Sequence, residues 1–501
     1  MKADRRTIRI AIGSGLALPA LAILGEALAP DAWEPPPVPD EWAYRSLPRL
    51  PATEVAAAPS VGPIGREEVR ISARDTGLDG TVLAPRELGR HPAVVFVHGA
   101  GRGSRVALID QAEYLARAGI VTLVYDKRTV EYSFANRDFD LLADDALAAV
   151  GLLRERPDVN PDRVGLWGVS EGGWVVPIAV TRSSDVAFVI LVSAPNVSPQ
   201  SQAAWVFDDH LRRIAAPEGL RQLMVGSLSM GEFNYSHHNP VPALRQVRQP
   251  VLAVYGTGDR AIPVVQSSRV LVQALTDGGN AAYTIRFFED ADHDVRVGGG
   301  FAPGYLQTVA NWVGGLPMSA EPSPRAQIAG AAPVQAFRAV EPPIPPSYGT
   351  AAALLGAFGV AAAGYLAGPT AAGLARLRRG RGPNDPVVSA QWSQIRRTLR
   401  WAAVGGITSV VLTSLLIGLV VALVLLEAGT RSLAQGGWLV ARSGAVIAVV
   451  AEVAAVETTV RSVRSGWRPS PAQAAALIGA IGGSGVVLLV GAYLGVFAPR
   501  W

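Results

Sequence analysis

The run Arg163-Val-Gly-Leu-Trp-Gly-Val-Ser-Glu-Gly-Gly-Trp174 joins a short apolar stretch to a glycine-bracketed turn and then to the opening of a helix. Strand, sharp turn and helix in that order are the setting of a nucleophile elbow, the G-x-S-x-G turn that holds a serine hydroxyl clear of the chain. Ser170 is its candidate nucleophile. Such a turn strains the serine backbone, and side chains at Gly168 or Gly172 would collide with the neighbouring strand and helix. A bare G-x-S-x-G arises often by chance in a chain with 53 glycines. The flanking strand and helix are what give this one weight.

Outward from the elbow, residues 66–315 alternate short β-branched runs with helical patterns, which predicts an α/β domain with a mostly parallel sheet. Strands are expected at 68–73, 80–84, 93–97, 121–125, 164–167, 188–192, 251–255 and 283–288, and helices near 106–118, 141–156, 172–181, 263–276 and 305–313. The alternation breaks between 199 and 249. That insertion carries Trp205, Met224, Met230, Phe233 and Tyr235 and is expected to form a cap.

A serine alcohol is a weak nucleophile until a histidine takes its proton and an acid fixes the histidine tautomer. Asp259, in Tyr255-Gly-Thr-Gly-Asp-Arg260, and His293, in Glu289-Asp-Ala-Asp-His-Asp294, both follow expected strands. In parallel sheets functional groups collect at the carboxyl ends of strands, so serine, aspartate and histidine can converge there. Acyl transfer also needs donors aimed at the developing oxyanion. The loop in Val95-Phe-Val-His-Gly-Ala-Gly-Arg-Gly-Ser104 offers the backbone N–H of Ala100, and Glu171 offers the one after the nucleophile; His98, Gly99 and Gly101 shape that loop. The glycine loop lacks the Lys-Ser/Thr pair of a phosphate-binding P-loop and the G-x-G-x-x-G spacing. Asp290, Asp292 and Asp294 fit no metal-ligand spacing, so neither metal nor cofactor is expected. His210, His237 and His238 read as surface or pocket-lining residues, and His91 as a turn residue.

The two ends differ in character from the middle. Of the 501 residues 49% are hydrophobic, and the apolar runs concentrate at the termini. Residues 1–31 carry Lys2, Arg5, Arg6 and Arg9 ahead of an apolar run and Ala27-Leu-Ala-Pro30, the layout of a signal peptide or an uncleaved anchor. Residues 32–65 and 316–347 are proline-rich and read as linkers. From 348 to 501 come four apolar runs, 348–372, 402–426, 436–456 and 474–497, each long enough to cross a bilayer core of about 30 Å. The net charge of +4 reflects arginines beside these runs, which suits membrane topology rather than nucleic-acid binding. With no cysteine there is neither a disulfide framework nor a thiolate nucleophile.

With these residues in place, 66–315 resembles the α/β-hydrolase superfamily, in the branch of dienelactone hydrolases, acyl-CoA thioesterases and prolyl-oligopeptidase-type serine peptidases. The resemblance rests on His98-Gly-Ala-Gly101, Tyr125-Asp-Lys-Arg128, Gly165-Leu-Trp-Gly-Val-Ser-Glu-Gly-Gly173, Tyr255-Gly-Thr-Gly-Asp259 and Asp292-His293. It implies Ser170 as nucleophile, Asp259 as acid, His293 as base and Ala100 with Glu171 as oxyanion donors. Dienelactone hydrolases carry cysteine where Ser170 stands, which argues against that activity, and no peptidase-specificity domain precedes the hydrolase. The expectation is a multi-pass cell-membrane protein with an extracytoplasmic serine hydrolase domain. It would act on a small acyl ester or thioester; a peptidase or amidase is the alternative within the class. A catalytically vestigial domain serving the membrane region is the alternative outside it.

Overall fold

The computed structural model describes residues 5–57, 62–231, 233–321, 327–378 and 386–499. The chain divides into two compact units, one of 35–206 with 232–341, the other of 1–34, 207–231 and 342–501.

Helix α1 (Arg5–Leu28) belongs to the second unit, and the short helix α2 (Ala52–Val55) to the first. The first unit is built on β1 (Ile64–Ala73), β2 (Thr76–Pro85), β3 (His91–Val97), β4 (Val121–Tyr125), β5 (Val159–Val169), β6 (Phe188–Val192), β7 (Val251–Gly256) and β8 (Tyr283–Phe288). A two-residue hairpin, β9 (Arg296–Val297) and β10 (Gly300–Phe301), follows, and β11 (Ile328–Gly330) closes the edge. Nine strands form one sheet in the order β1-β2-β4-β3-β5-β6-β7-β8-β11. The β1–β2 and β2–β4 pairs are antiparallel, and every later pair is parallel.

Parallel strands are covered on both faces, which is why they read as unbroken apolar runs. On β7, Val251, Ala253 and Tyr255 join one core, with α4 (Phe139–Arg154), α5 (Gly172–Arg182) and α9 (Val264–Asp277). Leu252 and Val254 join the other, with α3 (Ile109–Arg117) and α10 (Tyr305–Gly314). All eight expected strands are present. The first two run longer because a ladder pairs Ile64 with Pro85 and recruits polar residues that carry no strand signal of their own.

The two proline-rich segments depart from the linker reading. Tyr44 is buried, with its ring 5.1 Å from that of Phe287 and its hydroxyl 3.1 Å from Ser268 Oγ. Glu54 pairs at 2.6 Å with Arg286, a buried arginine in β8 that needs a counter-charge. The later segment supplies β11, and the two segments bond to each other, Val38 N–H to the Ala336 carbonyl and Arg338 N–H to that of Pro36. Proline disfavours the interior of a helix, but an extended backbone is what a sheet edge accepts.

The insertion also departs from its expected form as one cap. Helices α6 (Pro199–Arg213), α7 (Glu218–Leu228) and α8 (Val241–Leu244) run through it, yet 207–231, including Met224 and Met230, cluster within the second unit. Trp205 stays in the first, its indole N–H donating to the Phe337 carbonyl at 3.0 Å.

The second unit contains α11 (Ala351–Arg378), α12 (Pro386–Leu425), α13 (Arg431–Arg464) and α14 (Pro471–Tyr493). With α1 they make five helices, among the described residues, long and apolar enough to cross a membrane. Helix α12 begins well before its apolar run, and Trp392 in that extension stacks on Trp467 at 6.2 Å. Helices α11 and α14 meet through Gly364 and Gly368 on one and Gly479 and Gly483 on the other, a reciprocal G-x-x-x-G contact. A Cβ on Gly364 would stand 2.4 Å from the Gly479 carbonyl oxygen, and one on Gly479 equally close to that of Gly364. Helix α1 packs on α13 and α14, with Arg6 bonding Thr458 and Gly25 against Ala492.

Candidate active site at the carboxyl ends of the parallel strands

β5 ends at Val169 and α5 begins at Gly172, which leaves Ser170 and Glu171 in the turn, with Ser170 at φ +52°, a strained value for a residue with a side chain. Its N–H is held by the Val192 carbonyl of β6 at 2.9 Å. The glycines act as their spacing predicts. A Cβ on Gly168 would lie 2.4 Å from the Gly172 oxygen, and one on Gly172 2.7 Å from that of Val97.

Asp259 follows β7 and His293 follows β8. The His293 Nδ1–H donates to Asp259 Oδ2 at 2.8 Å, and Asp259 Oδ1 accepts from the backbone N–H of Ala261 at 2.8 Å and Ile262 at 3.3 Å. The aspartate side chain is fully buried, whereas a quarter of the histidine side chain is exposed. Burial pulls the imidazolium down, but the Asp259 charge and hydrogen bond, with Asp294 and Asp292 nearby, outweigh it and hold His293 above its ordinary value. A base in that position is neutral, and so able to accept a proton, only above that raised value, so its function is lost as pH falls through it.

No hydrogen bond joins Ser170 Oγ to His293 among the described residues. In unliganded sites such contacts are commonly long and tighten on substrate. Ser193, just past β6, links the neighbourhood, its hydroxyl donating to the His293 carbonyl at 2.8 Å.

The N–H groups of Ala100 and Glu171 find no acceptor among the described residues, which leaves both available to an oxyanion. Gly99 lies beneath the elbow, its position such that a Cβ would be 3.3 Å from that of Ser170. His98 packs behind the loop, its Nε2–H on the Tyr125 carbonyl at 2.5 Å, and burial lowers it to about 4, so it is neutral and structural. Gly101 donates to the Tyr132 hydroxyl at 3.0 Å.

Sequence reasoning missed the network beneath this loop. The Glu171 carboxylate is buried and pairs with Lys127 and, at 2.9 Å, with Arg137. The Lys127 ammonium also donates to the Gly99 carbonyl at 2.7 Å and to the Tyr132 hydroxyl at 2.9 Å, and that hydroxyl donates to Glu171 at 3.0 Å. Burial lowers Lys127, and the Glu171 charge opposes the shift. The available signal was compositional, since Lys127 is one of only two lysines in the chain. Arg137 stands over the Tyr235 ring at 4.6 Å, and Phe134 and Phe233 complete a partly exposed aromatic patch beside it. His237 pairs with Glu341, while His210 donates to the Ala428 carbonyl within the second unit; neither joins the site.

Residues 112–314 match the prolyl oligopeptidase family. The chain is 26% identical over 272 residues to Esterase EstD of Thermotoga maritima, covering 48% of this chain and 63% of that protein. It is 28% identical over 178 residues to a probable dipeptidyl peptidase 4 of Neosartorya fischeri, covering 35% of this chain and 22% of that one. It thus spans less than two thirds of either relative. Among solved structures, an esterase of Pyrobaculum calidifontis is similar at 18% identity and a TM-score of 0.39, over 50% of this chain and 84% of its own. With its mostly parallel sheet and the serine elbow after β5, the α/β domain has the α/β-hydrolase fold, and its residues 112–314 are similar to the prolyl oligopeptidase family.

Proposed function

We propose that the α/β domain is a serine hydrolase that cleaves a carboxylic ester or thioester through an acyl-enzyme, and that the protein is a multi-pass membrane protein carrying this domain on the extracytoplasmic side. The observation that carries the catalytic reading is the buried Asp259 bonded to His293 Nδ1 at 2.8 Å, past the strands that follow the Ser170 elbow in the sheet. In the first step Ser170 Oγ attacks the acyl carbonyl while His293 Nε2 takes its proton. Asp259 holds the tautomer, and the N–H groups of Ala100 and Glu171 receive the oxyanion. The tetrahedral adduct expels the alcohol or thiol, which takes the proton from His293. Water, deprotonated by the same imidazole, then releases the acid and restores Ser170.

The likeness to EstD supports the ester reading, and the partly exposed aromatic patch of Phe134, Phe233 and Tyr235 offers an apolar acyl group a surface. The prolyl oligopeptidase match supports peptide or amide bonds as a second reading. A fluorophosphonate probe should label the wild-type protein and not Ser170→Ala, whose turnover should fall by about 10⁴-fold or more. Labelling that persists in the variant removes Ser170 as nucleophile. Acyl esters of graded length, thioesters and aminoacyl amides then separate the two readings.

A further inference from the structure

Strand β6 stands between β5, which ends at the elbow, and β7, which leads to Asp259. Its last residue and the one after it reach both the candidate nucleophile and the candidate base. The Val192 carbonyl accepts the Ser170 N–H at 2.9 Å, and the next side chain, Ser193, donates its hydroxyl to the His293 carbonyl at 2.8 Å. The Ser193 N–H donates to the Val254 carbonyl of β7, also at 2.9 Å. One peptide group, between 192 and 193, is therefore bonded to the nucleophile on one side and to the acid's strand on the other. Ser193 is fully buried and sits at φ +48°, a conformation that strains a residue with a side chain. Gly173, the last glycine of the elbow run, faces the same segment, and a Cβ there would stand 2.4 Å from that of Ala194. The start of the elbow helix is thus pressed directly onto the residues that follow β6.

The base loop has other ties, and they lead elsewhere. Within it, the Asp292 carboxylate accepts from the Asp294 N–H at 3.0 Å and the Arg296 N–H at 2.8 Å, which fixes the shape of the turn. Toward β7, the Gly258 N–H donates to the Ala291 carbonyl at 2.9 Å and the Asp290 N–H to the Thr257 hydroxyl at 2.8 Å. Those bonds keep His293 beside Asp259. The Ser193 bond comes from β6 and lands on His293 itself, so it sets the base against the nucleophile rather than against the acid. A proton passes from Ser170 Oγ to His293 Nε2 only within hydrogen-bond reach, and a displacement of about 1 Å can cost about 10²-fold in rate. We propose that Ser193 is a positioning residue of the hydrolytic site, its hydroxyl holding the backbone of His293 at the distance from Ser170 that proton transfer needs.

The proposal rests on the triad reading, and the experiment separates the two. In the full-length protein a fluorophosphonate probe reports attack by Ser170, and p-nitrophenyl butyrate reports turnover. Ser193→Ala should label about 10-fold more slowly and lose about as much kcat, with KM nearly unchanged. Ser193→Gly removes the same hydroxyl and relieves the left-handed backbone, so strain has no part in its rate, and it should be as slow as Ser193→Ala. Thr122→Val removes another buried hydroxyl, bonded to the Ala112 carbonyl at 3.1 Å, and should lose stability without losing labelling rate. The acid limb of kcat/KM should stay in place in both Ser193 variants, because the charges around His293, Asp259, Asp294 and Asp292, are untouched. A wild-type labelling rate in Ser193→Gly would trace the loss in Ser193→Ala to strain, and an acid limb moved to lower pH would mean that the hydroxyl serves the Asp259 pair. Either result overturns the proposal, as does equal slowing in Thr122→Val. Wild-type protein that the probe does not label removes the nucleophile itself, and both readings fall.

Discussion

Glu171 follows the candidate nucleophile directly, and its buried carboxylate ties the elbow to the loop that carries Ala100. Lys127 is the tie, since one ammonium binds Glu171 on the elbow and the Gly99 carbonyl on the loop. Two N–H groups can receive one oxyanion only if loop and elbow keep a fixed separation, and a displacement of about 1 Å can cost about 10²-fold in rate. On the proposed mechanism the part Lys127 would play is to position the loop against the elbow. Lys127→Met leaves Glu171 with Arg137 and Tyr132, so the loss of stability should stay below the ~3–5 kcal/mol of a fully broken buried pair. The value of kcat should fall by about 10–100-fold with a smaller change in KM. Steady-state kinetics beside a denaturant melt check this; a raised KM with kcat intact would make Lys127 a binding residue instead.

At the scale of elements, legibility followed how each element comes to be buried. Strands such as Phe188–Val192 are buried on both faces, so their sequences are apolar throughout and their positions could be read directly. The strand Ile328–Gly330 could not, because three residues after a proline-rich stretch hold their place through the ladder to β8. Tyr44 and Glu54 escaped for the same reason, their partners Phe287 and Arg286 being remote in sequence. Ser170, Asp259 and His293 were legible because each follows a strong strand, whereas the Lys127, Tyr132 and Arg137 contacts depend on loop conformation. The apolar helices show the same division: their existence was plain, and the α11–α14 contact was not, although its glycines recur at a spacing of four. Association in lipid relies on such close approach. Gly364→Leu should therefore loosen the pair by about 1–3 kcal/mol, the usual cost of overpacking, and lower the melting temperature in detergent. Gly359→Leu, on the same helix with open space around it, should leave the melt unchanged. Equal effects from both would mean that the close contact is not what holds the helices.

For the whole molecule, charge and packing support one threading of the second unit. Arg6 meets Thr458 and Arg9 meets Glu457, so the start of α1 shares an end of the helix bundle with the last turns of α13. Trp392 on Trp467 brings the start of α12 to that same end. At the other end Gly25 lies against Ala492 and Tyr348 bonds the Leu28 carbonyl. Arg396, Arg397, Arg400, Arg461, Arg464 and Arg468 therefore collect at the end where α1 begins, with Lys2, Arg5, Arg6 and Arg9 in the adjoining sequence. Arg376 and Arg378, at the last turns of α11, count by sequence on the same side, while Arg379 and Arg381 lie outside the described residues. Positive charge in short loops stays in the cytoplasm, so the proposed orientation puts residues 32–347 across the membrane. We propose that α1 is retained and not cleaved after Ala29, since it packs on α13 and α14 with Gly25 against Ala492. Protease added to intact spheroplasts should digest the α/β domain and spare the 376–400 segment. A tag placed ahead of Met1 should survive on a small protected fragment that still contains α1. Protection of the α/β domain would reverse the orientation, and a mature protein lacking the tag and α1 would show that the leader is removed.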